Sequence, residues 1–168
     1  DGGFADYVTV AARHAYPVET ALSDAELASF PCSYSTAENM LTRAQVTKND
    51  TLLITGASGG VGSAAIKLAK ARGARVIAVA GDKKQQSVQD AGADQALVRG
   101  ASLEAALGEN SVDVVIDLVG GEDWPELLTI LTPFGRYAVS GAIAGPIVKL
   151  DLRTLYLNDQ RFLGLSLI

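Results

Sequence analysis

The chain has 168 residues, of which 48% are hydrophobic and 20% charged, which indicates one globular domain and excludes a disordered chain. Its formal net charge is −5 and acids and bases are interleaved, so no basic surface for nucleic acid is expected. A single cysteine, Cys32, excludes an internal disulfide. No apolar run approaches the roughly 18 residues of a membrane span, and the first residues do not resemble a signal peptide. We therefore expect a cytoplasmic protein.

The first part of the chain is predicted to contain one strand and two helices. Residues 4–10 alternate in part between apolar and polar side chains, as in a strand. Ser23 and Glu26 have the spacing of a capping box that opens a helix, and Pro31 is expected to end it. A second helix is predicted over 33–46. Its apolar stripe consists of Ala37, Met40, Leu41 and Ala44.

A regular alternation of strands and helices follows from Asp50 onward. Strands are predicted at 52–55, 75–80, 95–98, 112–118, 135–140 and 162–167. Helices are predicted at 60–72, 82–91, 102–107, 124–131 and 152–158. Short connections of this kind imply right-handed crossovers. The sequence therefore predicts an α/β protein with a doubly wound parallel sheet, the Rossmann fold.

The glycine-rich turn at residues 56–62 reads Gly-Ala-Ser-Gly-Gly-Val-Gly and lies between a predicted strand and a predicted helix. The strict dinucleotide fingerprint would have glycine where Ala57 stands. Gly59 would let the backbone approach a pyrophosphate, and Gly62 would let the helix lie close to the strand. The N–H groups at the start of the helix would then face the anion. The alternative is a tight turn without a ligand.

The end of the second Rossmann strand favours NADP(H) over NAD(H), with NAD still possible. Its last residue is Ala80, where an acidic residue would hold the ribose diol of NAD. Asp82 lies just beyond, and Lys83 and Lys84 follow at once. Lysines without a carboxylate at the strand tip suit a 2′-phosphate. Alternatively, Asp82 only caps the next helix and the lysines only face solvent.

Two further strands are predicted to end at the same edge of the sheet. Residues 113–121 run into Gly120 and Gly121, and residues 137–142 end in small side chains. Ligands of open α/β sheets bind at the carboxyl ends of the strands. Asp117, which apolar residues flank, is predicted to accept hydrogen bonds from loop N–H groups.

Several segments together resemble the medium-chain dehydrogenase/reductase superfamily, which contains zinc alcohol dehydrogenases and quinone oxidoreductases. The resemblance covers nearly the whole chain and rests on residues 3–8, 35–37, 55–62, 113–121, 135–137, 152–156 and 161–164. It implies that a GroES-like catalytic domain precedes the Rossmann domain. Residues 1–22 would then be the tail of that domain and residues 23–168 the dinucleotide-binding domain, so we expect the chain to be the cofactor-binding part of a longer enzyme.

The resemblance implies hydride transfer between a nicotinamide and an alcohol, a carbonyl or an activated double bond. Thr36 would contact the nicotinamide end, and Gly59, Gly60 and Val61 would face the pyrophosphate. The adenosine ribose would be surrounded by Gly81, Asp82, Lys83 and Lys84. The rest of the groove would be lined by Val119, Gly120, Ser140, Gly141 and Ala142. No general base or nucleophile is assigned by the sequence.

Cys32 is the residue on which the finer function depends. It stands where zinc-dependent members have one of three protein ligands to the catalytic zinc, and a thiolate suits that metal. The alternative is a small buried side chain. The leading expectation is an NADP-dependent alcohol dehydrogenase or reductase; the alternatives are a zinc-free quinone or enoyl reductase and a non-catalytic nucleotide-binding module. A homodimer through the predicted last strand, 162–167, is also expected, because the strand would otherwise leave an open edge.

Overall fold

The computed structural model describes residues 3–166. Its six strands are β1 Thr51–Ile54, β2 Arg75–Ala80, β3 Gln95–Val98, β4 Val112–Asp117, β5 Leu131–Val139 and β6 Arg161–Gly164. Its seven α-helices are α1 Asp24–Ala28, α2 Phe30–Arg43, α3 Gly60–Ala71, α4 Gln85–Asp90, α5 Leu103–Leu107, α6 Trp124–Thr129 and α7 Leu152–Leu157. Short 3₁₀ helices lie at Ala12–His14 and Asp82–Lys84.

All six strands are parallel and form one sheet in the order β3-β2-β1-β4-β5-β6. β1 lies in the middle of the sheet, β2 and β3 extend the sheet to one edge, and β4, β5 and β6 extend it to the other. This is the doubly wound topology. The predicted α/β class and Rossmann fold are therefore confirmed. None of the helices formed by residues 3–166 is long and apolar enough to cross a membrane.

The central strands are apolar on both faces because helices cover both sides of the sheet. On one side Leu52 and Ile54 belong to a buried cluster that includes residues of α2 and α3. On the other side Leu53 belongs to a second cluster, which includes residues of α5 and α6. The predicted stripe of α2 is fully buried in the first cluster.

The N-terminal segment does not form the predicted strand. Residues 4–10 contain no strand, and the side chains of Phe4 and Tyr7 are exposed. A strand needs partners for its backbone N–H and C=O groups, and the sheet formed by the described residues gives this segment none. The expectation was wrong here because alternation cannot show whether a partner exists. The division at residue 22 stays a prediction.

Several helix boundaries also differ from the expected ones, and α2, predicted over 33–46, runs from Phe30 to Arg43. The capping box of Ser23 and Glu26 is present at α1, but Pro31 does not end a helix. It lies in the first turn of α2, where the missing N–H costs no intrahelical hydrogen bond. The helix predicted over 82–91 is divided into the 3₁₀ helix Asp82–Lys84 and α4.

The last two strands are shifted from their predicted bounds. β5 begins at Leu131 rather than at residue 135, and β6 ends at Gly164. The end of the predicted last strand, residue 167, lies outside the described residues. β6 is the edge strand, so one of its sides has no neighbour among the described strands. The predicted homodimer would cover that side.

The open edge of β6 gives a direct test of the dimer. The N–H of Leu165 donates to the Val139 carbonyl of β5 over 2.9 Å, so by strand alternation the N–H of Gly164 points away from β5. Gly164→Pro removes only that outward donor, and no atom lies within 4 Å of an added Cβ there. We expect light scattering to give twice the chain mass for the unmodified protein and for Gly164→Ala, but a monomer mass for Gly164→Pro. A monomer in all three would contradict the dimer.

Candidate nucleotide-binding site

The glycine turn depends on a contact that only glycine permits. Gly56 has a φ of +58° and turns the chain out of β1. A Cβ placed on Gly62 would lie 2.5 Å from the Gly56 carbonyl oxygen and 2.6 Å from the Ala57 Cα. Real Cβ atoms do not approach backbone atoms so closely, so the first turn of α3 can rest on the glycine turn only without a side chain at position 62. The packing role predicted for Gly62 is confirmed.

The start of α3 offers free hydrogen-bond donors to a ligand. Gly59 is the N-cap residue, and no side chain caps the helix. The N–H groups of Gly60, Val61 and Gly62 lie in the first turn, where a helix supplies no carbonyl partner. A Cβ on Gly59 would have the Gly56 oxygen at 3.4 Å as its nearest neighbour, an ordinary contact. The fold itself therefore does not require glycine at 59, whereas a close-lying pyrophosphate would.

A cleft of about 270 Å³ opens at the carboxyl ends of β1, β2, β3 and β4. Of the predicted site residues, Val119 and Gly120 line it. The full lining consists of Thr55, Gly56, Val79, Arg99, Gly100, Ala101, Ser102, Leu103, Asp117, Val119, Gly120, Asp123, Glu126 and Leu127. This is the edge of the sheet at which open α/β folds bind ligands.

Sequence reasoning missed the wall of this cleft that follows β3. The N–H of Arg99 donates to the Ala80 carbonyl over 2.8 Å, which places residues 99–103 beside the tip of β2. The Ser102 hydroxyl donates to a Glu126 carboxylate oxygen over 2.6 Å and links this wall to α6. The rule that ligands lie at the carboxyl ends of parallel strands, if applied to β3 as well, would have pointed to this segment.

The segment Gly81 to Lys84 lies next to the cleft rather than in its lining. Lys83 and Lys84 are exposed, and none of the four ion pairs among residues 3–166 uses them. Asp82 lies in the first turn of the 3₁₀ helix and does not cap α4, whose N-cap residue is Lys84. The tip of β2 therefore presents two lysine charges to solvent.

Asp117 is fully buried and holds the loop after β4. Its carboxylate accepts hydrogen bonds from the Val119 N–H (2.9 Å), the Gly120 N–H (3.1 Å) and the Thr55 hydroxyl (2.6 Å). The Tyr137 hydroxyl donates to its other oxygen. Burial, and then the negative charge of Asp117, raise the pKa of Tyr137 well above its usual range, so the phenol stays a donor. The predicted role of Asp117 is confirmed.

A second cleft, of about 250 Å³, is lined by two of the three predicted residues after β5, and Ser140 is not in its lining. Gly120, Gly141 and Ala142 line it, and Gly120 borders both clefts. The N–H of Ser140 donates to the Asp117 carbonyl over 3.1 Å. A Cβ on Gly141 would lie 2.5 Å from the Leu118 carbonyl oxygen. Glycine at this position therefore lets the loop after β5 contact the loop after β4.

The start of α2 meets the start of α3. A Cβ on Gly60 would lie 2.6 Å from the Ser33 hydroxyl oxygen, so the two helices approach closely there. Thr36, one turn further along α2, is buried, and its hydroxyl donates to the Cys32 carbonyl over 2.7 Å.

Cys32 is exposed at this end of α2. Within residues 3–166 no three His, Cys, Asp or Glu side chains come together as metal ligands. The described residues alone thus do not form the zinc site that the resemblance implies, and Cys32 stays a single predicted ligand.

The two glycines of the turn should respond differently to a methyl group. Gly62→Ala should lower the free energy of unfolding by about 2 kcal/mol or more, because the added carbon overlaps the backbone of the turn. Gly59→Ala should leave stability nearly unchanged and instead weaken the binding of a dinucleotide. Urea unfolding and calorimetric titration measure the two effects. Equal destabilisation by both substitutions would contradict this division.

Comparison with known proteins agrees with the fold. A family model described as zinc-binding dehydrogenase matches residues 60–168. The acryloyl-coenzyme A reductase of Metallosphaera sedula is 35% identical over 98% of this chain and 49% of that protein. A structure from Sinorhizobium meliloti 1021, provisionally described as an alcohol dehydrogenase, has a TM-score of 0.92 and 53% identity over 99% of this chain and 47% of its own.

The quinone oxidoreductase of Thermus thermophilus, also solved in complex with NADPH, has a TM-score of 0.75 and 34% identity. That match covers 90% of this chain and 49% of the oxidoreductase. The chain thus spans about half the length of the relatives it matches. The predicted resemblance is confirmed: the chain belongs to the zinc-binding dehydrogenase family of the medium-chain dehydrogenase/reductase superfamily.

Proposed function

We propose that this chain binds NADP(H) in an oxidoreductase that transfers hydride between the nucleotide and an alcohol or carbonyl compound. The observation that carries the proposal is the uncapped start of α3 beside the cleft at the carboxyl edge of the sheet. A helix N-terminus with free N–H groups attracts phosphate through its donors and its dipole. The fold supplies that arrangement without any charged residue.

The proposed binding mode assigns the predicted residues to successive parts of the nucleotide. The N–H groups of residues 59–61 face the pyrophosphate, and Val119 and Gly120 contact the adenosine in the first cleft. Ser140, Gly141 and Ala142 line the path toward the nicotinamide, with Thr36 at that end. When bound, the nicotinamide gives or accepts a hydride; the chain itself binds the nucleotide and orients it.

The preference for NADP(H) rests on the charges at the tip of β2. Ala80 offers no carboxylate to a ribose diol, and Lys83 and Lys84 are exposed without ion-pair partners among the described residues. Arg99 lies across the tip, since its N–H donates to Ala80. Arg99 also lines the first cleft. Cations on both sides of the tip favour a 2′-phosphate over a hydroxyl.

The nucleotide preference is tested by replacing one lysine. Lys84→Gln should weaken NADPH binding about fivefold, because it removes one charge from an exposed phosphate contact, and should leave NADH binding unchanged. Lys67→Gln is the matched control, since Lys67 is an exposed lysine in the middle of α3. Calorimetric titration of the unmodified protein and both variants with each nucleotide gives the six affinities. Tighter binding of NADH than NADPH by the unmodified protein would overturn the preference.

A second candidate is the metal-free reduction of a quinone or an activated carbon–carbon double bond. It is supported by relatives whose names are acryloyl-coenzyme A reductase and quinone oxidoreductase-like protein 2, at 35% and 34% identity. The nucleotide site would be the same in both cases. The two candidates differ in whether Cys32 holds zinc.

Metal analysis of the whole protein distinguishes the candidates. If Cys32 is a ligand of catalytic zinc, Cys32→Ser should lower the zinc content per chain, because a hydroxyl replaces a thiolate ligand. Ser35→Ala, an exposed position in the same turn of α2, is the control and should keep the metal. Unchanged zinc content in Cys32→Ser would remove Cys32 from the metal site and favour the metal-free reductase.

A further inference from the structure

The side chain of Gln85 joins the ends of β2 and β3, close to Lys83 and Lys84 in the chain. Its Nε2 donates to the carbonyl oxygens of Ala80 (3.0 Å), Gly81 (3.3 Å) and Leu97 (3.2 Å). Ala80 ends β2, Gly81 begins the lysine-bearing segment, and Leu97 belongs to β3. Because all three neighbours are carbonyl oxygens, only the NH₂ end of the amide can face them. The orientation of the side chain is therefore fixed by its surroundings.

The segment from Gly81 to Lys84 has few other attachments to the fold. A Cβ on Gly81 would meet no atom within 4 Å, and the next three residues are exposed. The Lys84 N–H donates to the Gly81 carbonyl over 2.8 Å, and the Gln85 N–H donates to the Asp82 carbonyl, so these two backbone bonds join the segment only to itself and to Gln85. Neither the 3₁₀ helix nor α4 has a side-chain cap. Among these contacts, Gln85 is the one that ties the segment to both strands.

We propose that Gln85 is a positioning residue that sets the choice between NADPH and NADH. It does not touch the nucleotide; it holds the backbone of residues 81–84, so that Lys83 and Lys84 are already placed beside the adenosine ribose. A preformed segment loses less conformational entropy when it binds the 2′-phosphate. NADH has no such phosphate and gains little from the ordered lysines. This inference rests on the proposed binding of nicotinamide dinucleotides.

The inference is tested with an uncharged substitution of similar length. Gln85→Met removes both amide donors and should weaken NADPH binding roughly tenfold, while NADH binding changes less than about twofold. Gln86→Met is the matched control, because Gln86 is exposed and its side chain donates, among residues 3–166, to Asp90 of its own helix alone. A second variant, Gln85→Glu, removes the donors without changing the size of the side chain. Gln86→Glu adds the same negative charge one residue further along and is its control.

Amide hydrogen exchange of the protein without nucleotide supplies a readout that needs no ligand. We expect the Lys84 amide, whose N–H donates to the Gly81 carbonyl, to exchange roughly tenfold faster in Gln85→Met than in the unmodified protein or in Gln86→Met, because the tether to β3 is lost. Exchange in β1 and α3 should stay unchanged, which separates local release from general destabilisation.

The outcomes separate this inference from the proposed function. If the unmodified protein binds neither nucleotide, the proposed function fails, and the exchange of residues 81–84 still decides whether Gln85 holds the segment. If Gln85→Met weakens both nucleotides equally, or leaves their affinity ratio unchanged, the positioning role is overturned. Unchanged exchange in both Gln85 variants overturns it as well.

Discussion

The structure depends on one close contact, the approach of Gly62 to the backbone of the turn at Gly56 and Ala57. Because no side chain intervenes, α3 begins directly against the end of β1 and lies close to the sheet. Buried alanines along α3 keep this distance short and also let α2 lie against it. The donors at the start of α3 are thereby held at the carboxyl edge of the sheet. A methyl group at position 62 would displace both the helix and the proposed anion site.

The loop after β4 is fixed by a different means, a buried carboxylate. A charged side chain in the interior is unfavourable unless hydrogen bonds compensate for its lost hydration. Asp117 meets this condition with donors from Thr55 directly after β1, from β5 and from its own loop. The same bonds leave the Gly120 backbone on the border of both clefts. The stability of the interior and the shape of the candidate site are therefore coupled through one side chain.

Local patterns in the sequence predicted β2 and β3 with the bounds observed, because these strands are bounded by turn residues on both sides. The same reasoning failed at residues 4–10, where pairing depends on a partner that no local pattern reveals. It also failed at Pro31, because proline is excluded from the middle of a helix but not from its first turn. For the site, the glycines and lysines could be predicted from their spacing. Arg99 directly follows β3, so the carboxyl-end rule could have found it. Gln85 could not be found, since its contacts arise where the tips of β2 and β3 meet.

The candidate site separates two tasks between backbone and side chains. In the proposed binding mode, phosphate would be attracted by the N–H groups at the start of α3. Every residue type except proline would supply such groups, so glycines mainly constrain this part of the site. In the proposed binding mode the choice of nucleotide would be made at the tip of β2, where exposed lysines and the Gln85 tether can change without disturbing the sheet. Substitutions at that tip alter few buried contacts, so their cost in stability is small. On this physical ground, the preference for NADPH or NADH can diverge within a family whose fold and phosphate site stay the same.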